Sequence, residues 1–165
     1  MRHGFAIAAA CLLFAGCAAP DRTLPPSSLV ARAWAGGEPP PTAQSWAVVQ
    51  FAYARLGRRY CWGGTGPSCF DCSGLVHEAW RSVGIRVPRT SEDIARELPE
   101  VPLDAVRAGD ILWWPGHVGI YAGSGWVVDA LDHQHGVVRR PAATPYRAFR
   151  PVEAGPPEPI AFRGR

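Results

Sequence analysis

An α+β domain built on an antiparallel sheet is what this 165-residue sequence predicts, from three observations. Helical periodicity comes first along the chain and strand-like patterning follows, so the two element types are segregated instead of interleaved. The two strongest strand patterns are separated only by the turn residues Gly123, Ser124 and Gly125, which makes them a hairpin of neighbouring antiparallel strands. Hydrophobic residues form 47% of the chain, enough to bury one real core and, at this length, one domain only.

The elements follow in order. Arg2 and His3 precede an uncharged run whose most apolar part, residues 5–14, has the length of a secretory signal core and is too short to span a bilayer. Residues 1–16 are therefore expected to be a signal peptide. Residues 17–42 turn to Pro, Ser, Ala and Gly and read as a tether, and residues 154–165 as a tail without periodicity. The folded domain is expected over residues 43–153. It opens with a helix at 45–56, then a Gly-rich loop. After Asp71 a second helix places Leu75, Val76, Ala79, Trp80 and Val83 on one face, leaving His77 as a surface residue. A short helix at 91–98, capped by Thr90 or Ser91, carries Ile94 and Leu98. Strands are expected at 110–114, 116–121, 126–130, 137–140 and 146–152.

Charge and composition narrow the chemistry. The formal net charge is +3, but Arg and acidic residues nearly balance between Ala43 and Glu153, so no nucleic-acid partner is expected. Every basic residue other than His is Arg, and Asn is absent, which excludes a Lys Schiff base, a Ser/Lys dyad and a catalytic Asn. Three Cys fall in the domain: Cys61, Cys69 and Cys72. In an oxidising compartment an odd number suggests one bridge and one free thiol, and the flexible loop between Cys61 and Cys69 makes those two the expected pair. Cys69 and Cys72 also have the spacing of a redox motif, or of half a zinc site completed by His133 and His135. The first needs a preceding strand where the sequence has a Gly/Pro loop. The second would consume the thiols and draw on a polar, loop-like stretch.

A nucleophile is the better reading of Cys72. With Asp71 as N-cap it sits in the first turn of a helix, where unpaired N–H groups and the helix dipole favour a thiolate. Its base is expected to be His117, which lies in a strongly patterned strand. Pairing Val118 with Val128 and Ile120 with Trp126, around an odd-length loop centred on Gly123, sets His117 opposite Asp129. Asp129 is thereby nominated to orient the imidazole.

Five ordered motifs carry a resemblance: Tyr60-Cys61-Trp62-Gly63-Gly64, Phe70-Asp71-Cys72-Ser73-Gly74-Leu75-Val76, Pro88-Arg89-Thr90-Ser91, Ala108-Gly109-Asp110-Ile111 and Gly116-His117-Val118-Gly119-Ile120-Tyr121. Together they resemble the NlpC family of bacterial cell-wall cysteine peptidases. The resemblance implies a papain-like fold, helices packed on a central antiparallel sheet, with Cys72 as nucleophile and His117 as base. The family's third polar position, often His, falls on Asp129; His133 or His135 replaces it only if the second strand slips or bulges. Tyr60 matches a Tyr near the active site whose hydroxyl, or the Cys72 N–H, stabilises the oxyanion. Asp71 and Ser73 match positions that help place the substrate, with plain N-capping equally open for Asp71. Arg89, Thr90 and Ser91 read as structural.

The implied activity is hydrolysis of amide bonds in peptidoglycan stem peptides through a thioester, by a monomer without metal or organic cofactor. The alternative is an inactive envelope lipoprotein that binds peptidoglycan in the same groove. Phe14-Ala15-Gly16-Cys17 resembles a lipobox, which implies an exported, periplasm-facing protein anchored to the membrane by a lipid on Cys17. Ala18 after that Cys points to the outer membrane in a Gram-negative cell.

Overall fold

The computed structural model describes residues 37–152. The signal peptide, the Cys17 lipidation site and the tail expected from the sequence lie outside those residues. Helix α1 (Ala43–Tyr53) is capped by Thr42, whose hydroxyl accepts from the Ser45 N–H at 3.0 Å, and it buries Ser45, Val48, Val49 and Ala52 at helical spacing. Two short parallel strands follow, β1 (Arg59–Tyr60) and β2 (Cys69–Phe70). Helix α2 (Cys72–Arg81) starts at the expected Asp71 cap and buries Leu75, Val76, Ala79 and Trp80. Helix α3 (Ser91–Glu97) is capped by Thr90, and Ile94 is its buried anchor. No helix among the described residues is long and apolar enough to cross a membrane.

The second half forms the sheet: β3 (Glu100–Val101), β4 (Ile111–Trp114), β5 (His117–Gly123), β6 (Trp126–Ala130), β7 (Val137–Pro141) and β8 (Arg147–Phe149). Its order is β3-β8-β4-β5-β6-β7, with every pairing antiparallel. Strand alternation divides the apolar residues between two clusters. Ile111, Val118, Ile120, Val128, Ala130, Val137 and Phe149 join the core residues of α1 and α2. Leu112, Tyr121, Val127 and Ala148 form a smaller cluster with Val106 and Ala142.

The expected hairpin register is corrected by two residues. Ile120 pairs with Val128 and Tyr121 with Val127, after which an irregularity between Tyr121 and Gly123 leads to a Gly123–Trp126 pair. The loop is thus Ser124 and Gly125, and both have positive φ, as a tight hairpin turn requires. A shift of two leaves each side chain on the face expected for it, because the strand repeat is itself two. The predicted tether also ends sooner than residue 42: Glu38 accepts hydrogen bonds from the Tyr121 hydroxyl and, at 2.8 Å, from the Ser124 N–H, and so belongs to the folded unit.

Candidate active site

Cys72 is the first residue of α2 and is buried apart from a small exposed fraction. What holds it there is Asp71. Oxygen Oδ1 accepts from the Gly74 N–H at 2.6 Å and Oδ2 from the Gly63 N–H at 2.8 Å, tying the helix start to the preceding loop. The Arg89 guanidinium then closes on both oxygens, at 2.9 and 2.7 Å, and also donates to the Ser73 hydroxyl at 2.9 Å. The Gly64 carbonyl crosses so close to α2 that a Cβ on Gly74 would stand 2.0 Å from it, so only glycine fits at that helical position. The loop between β1 and β2 is closed by a Cys61–Cys69 disulfide, leaving Cys72 as the free cysteine of the described residues.

His117 is the first residue of β5. Its Nε2 lies 2.7 Å from Asp129 Oδ2, and the Cys72 thiol is near enough to act on the charge of the ring. Asp129 is fully buried, at 0% exposure. The register places it diagonally from His117, with Gly119 between: a Cβ on Gly119 would stand 3.0 Å from Asp129 Cβ and 2.6 Å from Val127 Cγ2. The gap left by Gly119 is what lets the carboxylate lean across to the imidazole. Burial alone would lower the His117 pKa, but hydrogen bonds to Asp129 and Cys72 and the charges of both outweigh it, raising it from 6.5 to about 9. The imidazolium is therefore the favoured form near neutral pH.

Cys72 opens onto a cleft of about 420 Å³, lined also by Tyr60, Trp62, Arg89, Glu92 and Gly116. Tyr60 meets the His133 ring edge-on at 4.7 Å, and its pKa is raised by burial first and then by Cys72 and Asp71. Trp62, 88% exposed, stands at the rim. The arrangement joins a thiol at a helix N-terminus, an imidazolium, a buried carboxylate and an open groove, the parts needed for nucleophilic attack on a carbonyl. The family model described as NlpC/P60 matches residues 57–154, more than half of the chain.

The chain belongs to the NlpC/P60 family. Among its relatives is a Corynebacterium glutamicum protein named "Probable endopeptidase Cgl2188", 43% identical over 96 residues that make up 56% of this chain and 46% of that one. A Mycobacterium tuberculosis protein named "Probable endopeptidase Rv2190c" is 40% identical over 53% of this chain and 23% of its own. This chain thus spans less than half the length of these relatives. Among solved structures, the NlpC/p60 domain of the peptidoglycan hydrolase SagA is similar with a TM-score of 0.60 and 30% identity, covering 67% of this chain and 97% of that domain. The P60 domain of a Mycobacterium avium subspecies paratuberculosis antigen gives a TM-score of 0.60 and 30% identity over 67% and 96%.

Within this NlpC/P60 domain the structure brings Cys72, His117 and Asp129 together and sets Tyr60, Asp71 and Ser73 beside them. It also gives Arg89 a partner, corrects the surface placement of His77 and bears on the zinc alternative. Arg89 is a structural residue with a specific task, neutralising Asp71, both of whose oxygens are engaged. His77 is half-buried, with Nδ1 2.7 Å from the Val87 carbonyl. The zinc set is not assembled: Cys69 is bonded to Cys61, His133 lies against Tyr60, and His135 bonds Asp132 at 2.8 Å. Among the described residues no three His, Cys, Asp or Glu side chains gather as a metal would require. Gly119 and Arg140 also stand beside Asp129; the sequence signal for the first is a glycine inside a strongly patterned strand.

Proposed function

We propose that this chain is a cysteine endopeptidase that hydrolyses amide bonds in peptidoglycan stem peptides; the similar SagA domain belongs to a protein described as a peptidoglycan hydrolase. The observation that carries the reading is that Cys72, at the wall of an open cleft, acts on the charge of a His117 ring held at 2.7 Å by the buried Asp129. The Cys72 sulfur attacks the scissile carbonyl, forming a C–S bond, and the carbonyl oxygen takes up negative charge beside the Cys72 N–H and the Tyr60 hydroxyl. His117 gives its proton to the departing amine as the C–N bond breaks. Water, deprotonated by His117, then splits the thioester and restores the starting pair. Asp129 holds the ring in the orientation that keeps Nδ1 toward sulfur.

The sequence signals at residues 1–17 support delivery by export, with the protein held at the periplasm-facing surface of a membrane by a lipid on Cys17. Radiolabelled palmitate incorporated by the wild type and lost in Cys17→Ser would support that anchor; equal labelling would remove it.

Purified protein incubated with muropeptides should release new fragments identifiable by mass, and Cys72→Ala should release none. Turnover surviving in Cys72→Ala would refute the mechanism. Sacculus binding without turnover by the wild type would leave a peptidoglycan-binding protein.

A further inference from the structure

Asp129 lies where water does not reach, and a carboxylate so placed needs hydrogen-bond donors and a counter-charge. His117 supplies one donor. The second comes from β7, where Arg140 Nη2 lies 2.5 Å from the same Oδ2 and Nε lies 3.1 and 3.2 Å from the two oxygens. Register explains the meeting: Asp129 pairs with Val138 and Val127 with Arg140, so Arg140 is the diagonal neighbour of Asp129 on one face. Arg139, one residue earlier and on the other face, stacks over Trp126 at 3.6 Å. The Arg140 guanidinium lies 5.5 Å from the Trp114 ring centre, and that ring lies 5.9 Å from the imidazole. Trp114, His117, Asp129 and Arg140 thus form one closed cluster from four adjacent strands.

We propose that Arg140 is a positioning residue for the Cys72–His117 pair: it holds the Asp129 carboxylate with Oδ2 aimed at the ring and, by sharing that oxygen, limits how tightly His117 holds its proton. The proposal rests on the cysteine-peptidase reading above. The titratable and charged groups facing Asp129 and His117 are Cys72 from α2 and Arg140 from β7; β4 contributes the uncharged Trp114 ring, and the nearby Asp71 and Arg89 are engaged with each other. A cation beside the imidazole disfavours its protonation. Without it, the proton stays bound to higher pH and is released less readily to a leaving amine.

The test compares full-length wild type with Arg140→Gln and Arg140→Lys. The rate of Cys72 alkylation by iodoacetamide against pH reports His117 through the step where the imidazolium is lost, and needs no substrate. Muropeptide cleavage supplies kcat and KM. In Arg140→Gln that step should move up by about half a pH unit or more, with kcat down about tenfold and KM within about twofold. Arg140→Lys keeps the charge but not the two-oxygen grip. Its step should stay within about 0.3 unit of the wild type and its kcat within about threefold.

A folded Arg140→Gln with unmoved step and kcat overturns the proposal, as does Arg140→Lys losing as much as Arg140→Gln. If Arg140→Gln does not fold, the Lys variant decides alone: a displaced step or a tenfold loss of kcat counts against Arg140. A wild type that cleaves no muropeptide while the alkylation step moves as expected refutes the substrate reading and leaves Arg140 in its role. An active wild type with an unmoved step refutes Arg140 only.

Discussion

Two Asp–Arg pairs flank the Cys72–His117 contact, and they do different things. On the helix side, Asp71 accepts from two backbone N–H groups and from Arg89, joining loop, helix start and the Arg89 segment at the cleft, where Asp71 is 10% and Arg89 34% exposed by side chain. On the sheet side, the partners of Asp129 among the described residues are the His117 and Arg140 side chains, and its exposure is 0%. The same ion-pair chemistry ties backbone segments together in one place and, in the other, meets the His117 ring. What separates them is the other partner of the carboxylate: backbone amides at Asp71, an imidazole at Asp129.

The largest expected break in that comparison is Asp129→Ala. It should lower kcat by about a thousandfold, ~4 kcal/mol of transition-state stabilisation, while leaving the fold recognisable by circular dichroism. A variant that loses stability but keeps its turnover would make Asp129 a structural tie instead. Asp71→Ala should show the converse weighting: loss of the cap together with an unpaired Arg89 costs about 3 kcal/mol in urea unfolding. Full stability in that variant would count against the tie at Asp71.

Opening the loop behind Asp71 comes next. Cys61→Ser with Cys69→Ser should cost about 2.5 kcal/mol from the lost constraint on the unfolded chain, and should weaken KM more than kcat because Tyr60 and Trp62 flank the bridge at the cleft. An unchanged denaturation midpoint would count against it. Gly119→Ala puts a methyl where Val127 and Asp129 already stand; about 1–2 kcal/mol of overpacking and roughly tenfold lower kcat are expected. If kcat is untouched, Asp129 does not depend on that gap.

The smallest effect is on pH dependence. The folded-state His117 pKa of about 9 exceeds the unfolded value of 6.5, so its contribution to stability is complete below 6.5 and is lost as pH rises through about 9. Between pH 6 and 7 the unfolding free energy should fall by about 0.7 kcal/mol on this account, and His117→Gln should abolish that slope. Activity that needs the imidazolium should decline near pH 9. A slope retained in His117→Gln would assign it to another group.

Some of this was readable from residues alone, and the reason is locality. Asp71 as cap, Cys72 in the first turn and the buried face of α2 depend on positions a few residues apart, where periodicity and capping chemistry operate. The Cys61–Cys69 bridge followed from an odd cysteine count and a short flexible loop. Asp129 falls on the same face as His117 even though the expected pairing is two residues off, because facing in a strand depends only on whether a position is odd or even. The short strands β1, β2 and β3 have too few residues to show a period. Arg89 and Arg140 could not be assigned their partners in advance: a guanidinium on a long flexible stem meets whatever carboxylate docking brings within reach. Those meetings span 18 and 11 residues and, like the gap at Gly119 and the seat of Glu38, were decided by how strands and helices pack. Local periodicity and caps are encoded in neighbouring residues, whereas the neutralisation of a buried charge is settled only when distant segments are pressed together and water is excluded.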